Sequence, residues 1–74
     1  MRGKRNIYLG DIIADQEEKL RYASLDVTVT FLVRHLTKHV DASLPEVEFR
    51  AWLDSDADQP FEWNRVRYHW GCAP

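Results

Sequence analysis

Three histidines and a cysteine fall into two short spacings, His35-x-x-x-His39 and His69-x-x-Cys72. Imidazole and thiolate are zinc ligands, so the four side chains raise the question of a metal site. The answer depends on the element beneath the first pair. One helical turn brings positions i and i+4 to about 6 Å, whereas a strand holds them about 13 Å apart. No paired Cys-x-x-Cys accompanies them, and solvated or half-buried histidines are the simpler reading, so no metal is expected. Nucleophilic catalysis has no better footing. Ser24, Ser43 and Ser55 fall in strand, helix-cap and loop contexts, none of them a nucleophile elbow. Cys72 lies close to the last residue, where a thiolate is poorly oriented. The carboxylates of 54–58 cluster in a loop that water can solvate. There is no P-loop and no GxGxxG. Neither an enzyme nor a cofactor is expected.

The last segment is more suggestive. Trp63, Arg65, Arg67, Tyr68, His69 and Trp70 interleave aromatic rings with positive charge. Such a strand could stack bases and neutralise phosphates, or it could offer guanidinium forks to carboxylates of a protein partner. Charge elsewhere bears on the choice. Residues 41–62 carry Asp41, Glu46, Glu48, Asp54, Asp56, Asp58 and Glu62 against Arg50 alone. Phosphates would be repelled there, which favours a protein partner over nucleic acid. Arg2, Lys4 and Arg5 make the opening tail basic, so the chain is polarised although its net charge is only −2.

These residues need elements to hold them. Residues 1–5 read as a loose tail, and 6–13 as a short strand or extended segment broken at Gly10, with Asp11 or Asp15 capping a short helix after it. From Tyr22, Ala23, Leu25, Val27, Val29, Phe31 and Val33 alternate with Ser24, Asp26, Thr28 and Thr30, which predicts a strand. Residues 31–40 admit two readings. One is a second strand; the other is a helix striped by Leu32, Leu36 and Val40, or by Val29, Val33 and Leu36. The strand is preferred. Ser43 and Glu46 in "SLPE" have capping-box spacing, so a helix is expected from there to about Asp54, with Pro45 in its first turn. After an acidic loop, 61–70 reads as one last strand, with Val66, Tyr68 and Trp70 on the core face and Arg65, Arg67 and His69 on the other. The predicted fold is α+β: an antiparallel three-stranded sheet with one helix across it, in the order β-β-α-β. Residues 1–20 are an N-terminal extension and 21–74 the sheet-and-helix core of a single small domain.

Seventy-four residues, 45% hydrophobic and 30% charged, have the composition of one small globular domain. No apolar run is long enough for a membrane span, and "IYLGDII" is too interrupted to serve as a signal sequence, so a cytoplasmic protein is expected. The single cysteine allows no internal disulfide. Net stability of a domain this small is about 3–5 kcal/mol, which leaves little for a deep catalytic cleft.

The stretch "PFEWNRVRYHWGCAP" resembles the end of the small bacteriophage T7-type inhibitors of host RNA polymerase, which carry a similar Phe-Glu, then Arg-Val-Arg, a cysteine and a closing Ala-Pro. "ASLPEVEFRAW" is similar to that family's capped acidic helix, and "RYAS" to the opening of its first strand. The resemblance spans about residues 21–74, and the Arg-Val-Arg with its flanks is its specific part. It implies a β-β-α-β protein that docks on the jaw of the largest subunit of bacterial RNA polymerase, at the downstream DNA channel. Arg65 and Arg67 would contact acidic groups of the jaw; the reading of the strand itself adds Trp63 and His69 to the partner-binding residues. Glu46, Glu48, Asp54, Asp56 and Asp58 would oppose DNA entry. This chain departs from the family in lacking a turn within 25–40, in a longer acidic loop at 54–59, and in its basic tail.

The resulting expectation is a non-enzymatic inhibitor, plausibly phage-encoded and a monomer when free, acting on RNA polymerase in the host cytoplasm. The alternatives are a single-stranded nucleic-acid-binding module, an inhibitor of another host complex such as a nuclease or a CRISPR complex, and a zinc-stabilised mini-domain.

Overall fold

The computed structural model describes residues 5–55 and 57–74. Seven elements follow one another: β1 (Arg5–Tyr8), α1 (Leu9–Asp15), α2 (Glu17–Leu20), α3 (Leu25–His39), α4 (Glu46–Ser55), β2 (Phe61–Trp63) and β3 (Val66–His69). The strands form one mixed sheet in the order β1-β3-β2, with β1 parallel and β2 antiparallel to the central β3. The class is α+β with a three-stranded sheet, as the sequence predicts. The order and pairing are not: the sheet is mixed rather than antiparallel, and two of its strands come from the final hairpin.

The largest difference is α3. Val29, Leu32, Val33 and Leu36 are its buried residues, spaced i, i+3, i+4, i+7 along one helical face. Leu25 and Val27, which a strand would have turned into the core, are exposed. Ser24 supplies the start. Its Oγ accepts from the Val27 backbone N–H at 3.2 Å, and its carbonyl accepts from Thr28 N–H at 3.0 Å. Lys38 and His39 close the last turn, where cations suit the exposed carbonyls. Ser24→Ala is therefore expected to lower stability by about 1 kcal/mol in chemical denaturation. A midpoint identical to that of the parent chain would show that α3 does not depend on this cap.

Residues 1–20, set apart in the sequence as an extension, contribute to the sheet and core over their described part. β1 runs along β3, and Leu9 is fully buried. The Gly10 N–H donates to Gly71 C=O at 2.9 Å, and a Cβ at Gly10 would lie 2.6 Å from Cys72 Sγ. A side chain is excluded there because the start of α1 and the chain after β3 approach so closely. The basic groups Arg2 and Lys4 lie outside the described residues.

α1, α3 and α4 bury their apolar sides on one face of the sheet, and α2 buries no residue. Leu9, Val29, Leu32, Val33, Leu36, Leu44, Phe49 and Trp52 pack with Val66 and Tyr68 in one cluster. At its centre the Phe49 ring meets Phe61 and Tyr68 edge-on, with centroids at 5.4 and 5.6 Å. Tyr68 is fully buried, and its hydroxyl has no hydrogen-bond partner among the described residues. Burial, more than the charge of Asp41, pushes its pKa up, while Arg5 opposes the shift. An unpartnered buried hydroxyl costs about 1–3 kcal/mol, and Tyr68→Phe removes it while keeping the ring. The variant is expected to melt at or above the parent temperature, and a clear drop would mean that the hydroxyl has a partner.

Candidate partner-binding face

Among the described residues, no helix packs a core on the sheet's other face. Register places Asn6 beside Arg67, Tyr8 beside His69 and Glu62 beside Arg67, so these five side chains share it. Asn6 and Glu62 are exposed, and Tyr8, Arg67 and His69 are half-buried. Tyr8 and His69 stack with centroids at 4.4 Å and rings 12° apart. His69 Nε2 lies 2.9 Å from Asn6 Oδ1, within hydrogen-bond distance. Arg67 Nε donates to Glu62 Oε2 at 3.0 Å, in an ion pair where both side chains are about two-fifths exposed. The face is polar and aromatic, and its strands are held in register by a backbone ladder.

The predicted site residues are divided by a turn. Asn64 and Arg65 have φ of 51° and 66°, and Trp63 pairs directly with Val66. This is a two-residue hairpin turn with both central residues left-handed. The expected single strand over 61–70 is thus two strands, and the turn breaks its alternation. Val66 and Tyr68 face the core as predicted, and Arg67 and His69 face away from it. Arg65, however, sits at the turn tip rather than on the strand. Trp63 shares the inner side with Val66, and its indole Nε1 donates to Ser43 Oγ at 3.2 Å. A non-glycine residue in this conformation is strained, and here it is an exposed arginine.

Ser43 belongs to that turn rather than to a helix cap. The first bond of α4 runs from Phe49 N–H to Pro45 C=O at 2.9 Å, so Pro45 holds the cap position. Ser43 instead donates its Oγ–H to Asp41 Oδ1 at 2.6 Å and accepts from Asn64 Nδ2 at 2.9 Å as well as from Trp63. Asn64 also donates to Asp41 Oδ2 at 2.8 Å. The Ser43 hydroxyl, then Asn64, then the Ser43 backbone N–H hold the Asp41 pKa below its usual value. A lowered carboxylate pKa stabilises the fold above the unfolded pKa, and that contribution is lost as pH falls through the folded one. Asp41→Asn is therefore expected to flatten the fall in melting temperature on acidification below about pH 4. An unchanged acid profile would contradict the network.

The acidic residues are on the helical layer. Glu46 and Glu48 are exposed in the first turn of α4, Asp54 in its last, and Asp58 in the following loop. Asp56 lies outside the described residues.

Because α3 runs through His39, His35 and His39 do not have the strand separation expected of them. Their rings are 4.8 Å apart. His69 and Cys72 are not with them: His69 is stacked on Tyr8, and Cys72 is exposed beside Gly10. Among the described residues, no group of three His, Cys, Asp or Glu side chains could hold a metal ion. The His35 pKa is lowered by burial and, less, by His39. No helix is long and apolar enough to cross a membrane among the described residues.

The chain matches no protein-family model, no curated protein and no solved structure.

Proposed function

We propose that the chain is a non-enzymatic binding protein that docks on an acidic surface of a protein partner through the open face of its sheet. The observation that supports it most is the pairing of that uncovered face, bearing Arg67, His69 and Tyr8, with Arg65 held in a left-handed turn at its edge. A guanidinium on a strand is preorganised, and docking costs it little entropy. Arg67 would exchange Glu62 for a carboxylate of the partner. The resemblance of the Arg-Val-Arg segment makes the largest subunit of bacterial RNA polymerase the first partner to test, with block of transcription initiation as the outcome. Glu46, Glu48, Asp54 and Asp58, on the helical layer, would then face the DNA path and repel it.

A second reading has one observation in its favour. The Tyr8–His69 stack beside Arg67 is also a platform on which unpaired bases could lie. The immobilised protein, challenged separately with purified bacterial RNA polymerase and with single-stranded DNA, separates the two. Retention of polymerase with slowed promoter opening supports the first reading. Retention of DNA alone, falling steeply with salt, supports the second and contradicts the first.

A further inference from the structure

The histidine pair belongs to a second feature, on the opposite layer from the open sheet face. A groove of about 450 Å³ lies between α2 and α3, lined by Lys19, Phe31, Arg34, His35, Lys38 and His39. Phe31, His35 and His39 follow one another at i, i+4 and i+8, so their rings form a ladder, with centroids 5.6 and then 4.8 Å apart. Arg34 and Lys38 flank the ladder one turn apart. Lys19 reaches over from α2, with Nζ 5.8 Å from the Phe31 centroid. Among the described residues, the ion pairs engage Arg50 and Arg67 and none of these three cations. Acidic groups border it on two sides: Asp15, Glu17 and Glu18 line a concavity that shares Lys19, and Asp26 lines another that shares Phe31 and Arg34.

Two imidazoles one turn apart could chelate a metal ion, but three permanent positive charges on the same groove oppose a cation. The same charges favour an anion. Rings along the groove favour a planar group attached to it. We propose that this groove binds a nucleotide carrying at least two phosphates. Lys19, Arg34 and Lys38 hold the phosphates, and Phe31 with His35 receives the base. The His39 ring, one turn beyond, adds a hydrogen-bonding group beside the phosphates.

The test is a titration followed by NMR, with ADP, inorganic pyrophosphate and adenosine as separate probes. Saturable movement of the His35, His39 and Phe31 ring signals with ADP is expected. Pyrophosphate should bind more weakly than ADP, and adenosine should move nothing. Arg34→Ala and Lys38→Ala should each weaken ADP about tenfold, the worth of one charge-assisted hydrogen bond. Both side chains are exposed, so melting temperatures should match the parent and leave the binding comparison clean. No saturable shift with ADP, equal binding of adenosine, or unchanged affinity in both variants would overturn the site. Pyrophosphate binding as tightly as ADP would overturn the nucleotide and leave a bare phosphate site.

Discussion

Phe49→Ala is expected to leave the protein unfolded at room temperature. Phe49 is fully buried, and its ring touches those of Trp52, Phe61 and Tyr68. Those rings come from α4, β2 and β3, so one side chain joins helix to hairpin. Truncating a buried phenylalanine removes its transfer free energy and leaves a cavity, together about 3–5 kcal/mol. A domain of this length has about that much net stability. Phe49→Leu, which keeps most of the volume, should still melt cooperatively with a loss of about 1.5 kcal/mol. Circular dichroism during a thermal ramp reads both. A cooperative Phe49→Ala transition near the parent temperature would mean that the aromatic cluster is not the centre of the core.

The second large effect concerns binding. Arg67→Ala is expected to weaken docking on an acidic partner by about 2 kcal/mol or more, through loss of a charge-assisted bidentate contact. Its ion pair with Glu62 is solvent-exposed and worth about 0–1 kcal/mol, so folding should be nearly unchanged. Arg65→Ala should weaken docking too. Glu48→Lys, on the helical layer, should leave docking intact and weaken only an inhibition that works by repelling DNA.

Part of this was legible in residue order. Val66 and Tyr68 alternate with Arg67 and His69, and that alternation set the inner and outer faces correctly. The helix after Pro45 was legible from its apolar spacing, although the serine that marked it serves the hairpin turn instead. The α3 segment is ambiguous in sequence for a specific reason. Val29 and Val33 are four apart, so they satisfy a period of two and a period of 3.6 equally. Leu32 and Leu36 decide between them. Both have the parity of Ser24, Asp26, Thr28 and Thr30, so a strand would have exposed them. The helix buries both, and tertiary burial outweighs the β-branched propensity of the segment.

The hairpin was hidden because its turn is Asn-Arg rather than Asn-Gly, and local patterning does not predict an arginine at positive φ. β1 was visible as an extended segment, but no local pattern indicates that it pairs with a strand about sixty residues away. The open face depends on that pairing, since Asn6 and Tyr8 reach Arg67 and His69 only through it. The α2–α3 groove was out of reach for the same reason: it requires α3 to be a helix.

The affinity of the chain for purified bacterial RNA polymerase, measured side by side with its Arg67→Ala variant, tests the docking face most directly. Saturable binding by the parent, weakened about thirtyfold in Arg67→Ala with an unchanged melting temperature, is the predicted result. Equal affinity of parent and variant, or no binding by the parent, would contradict it.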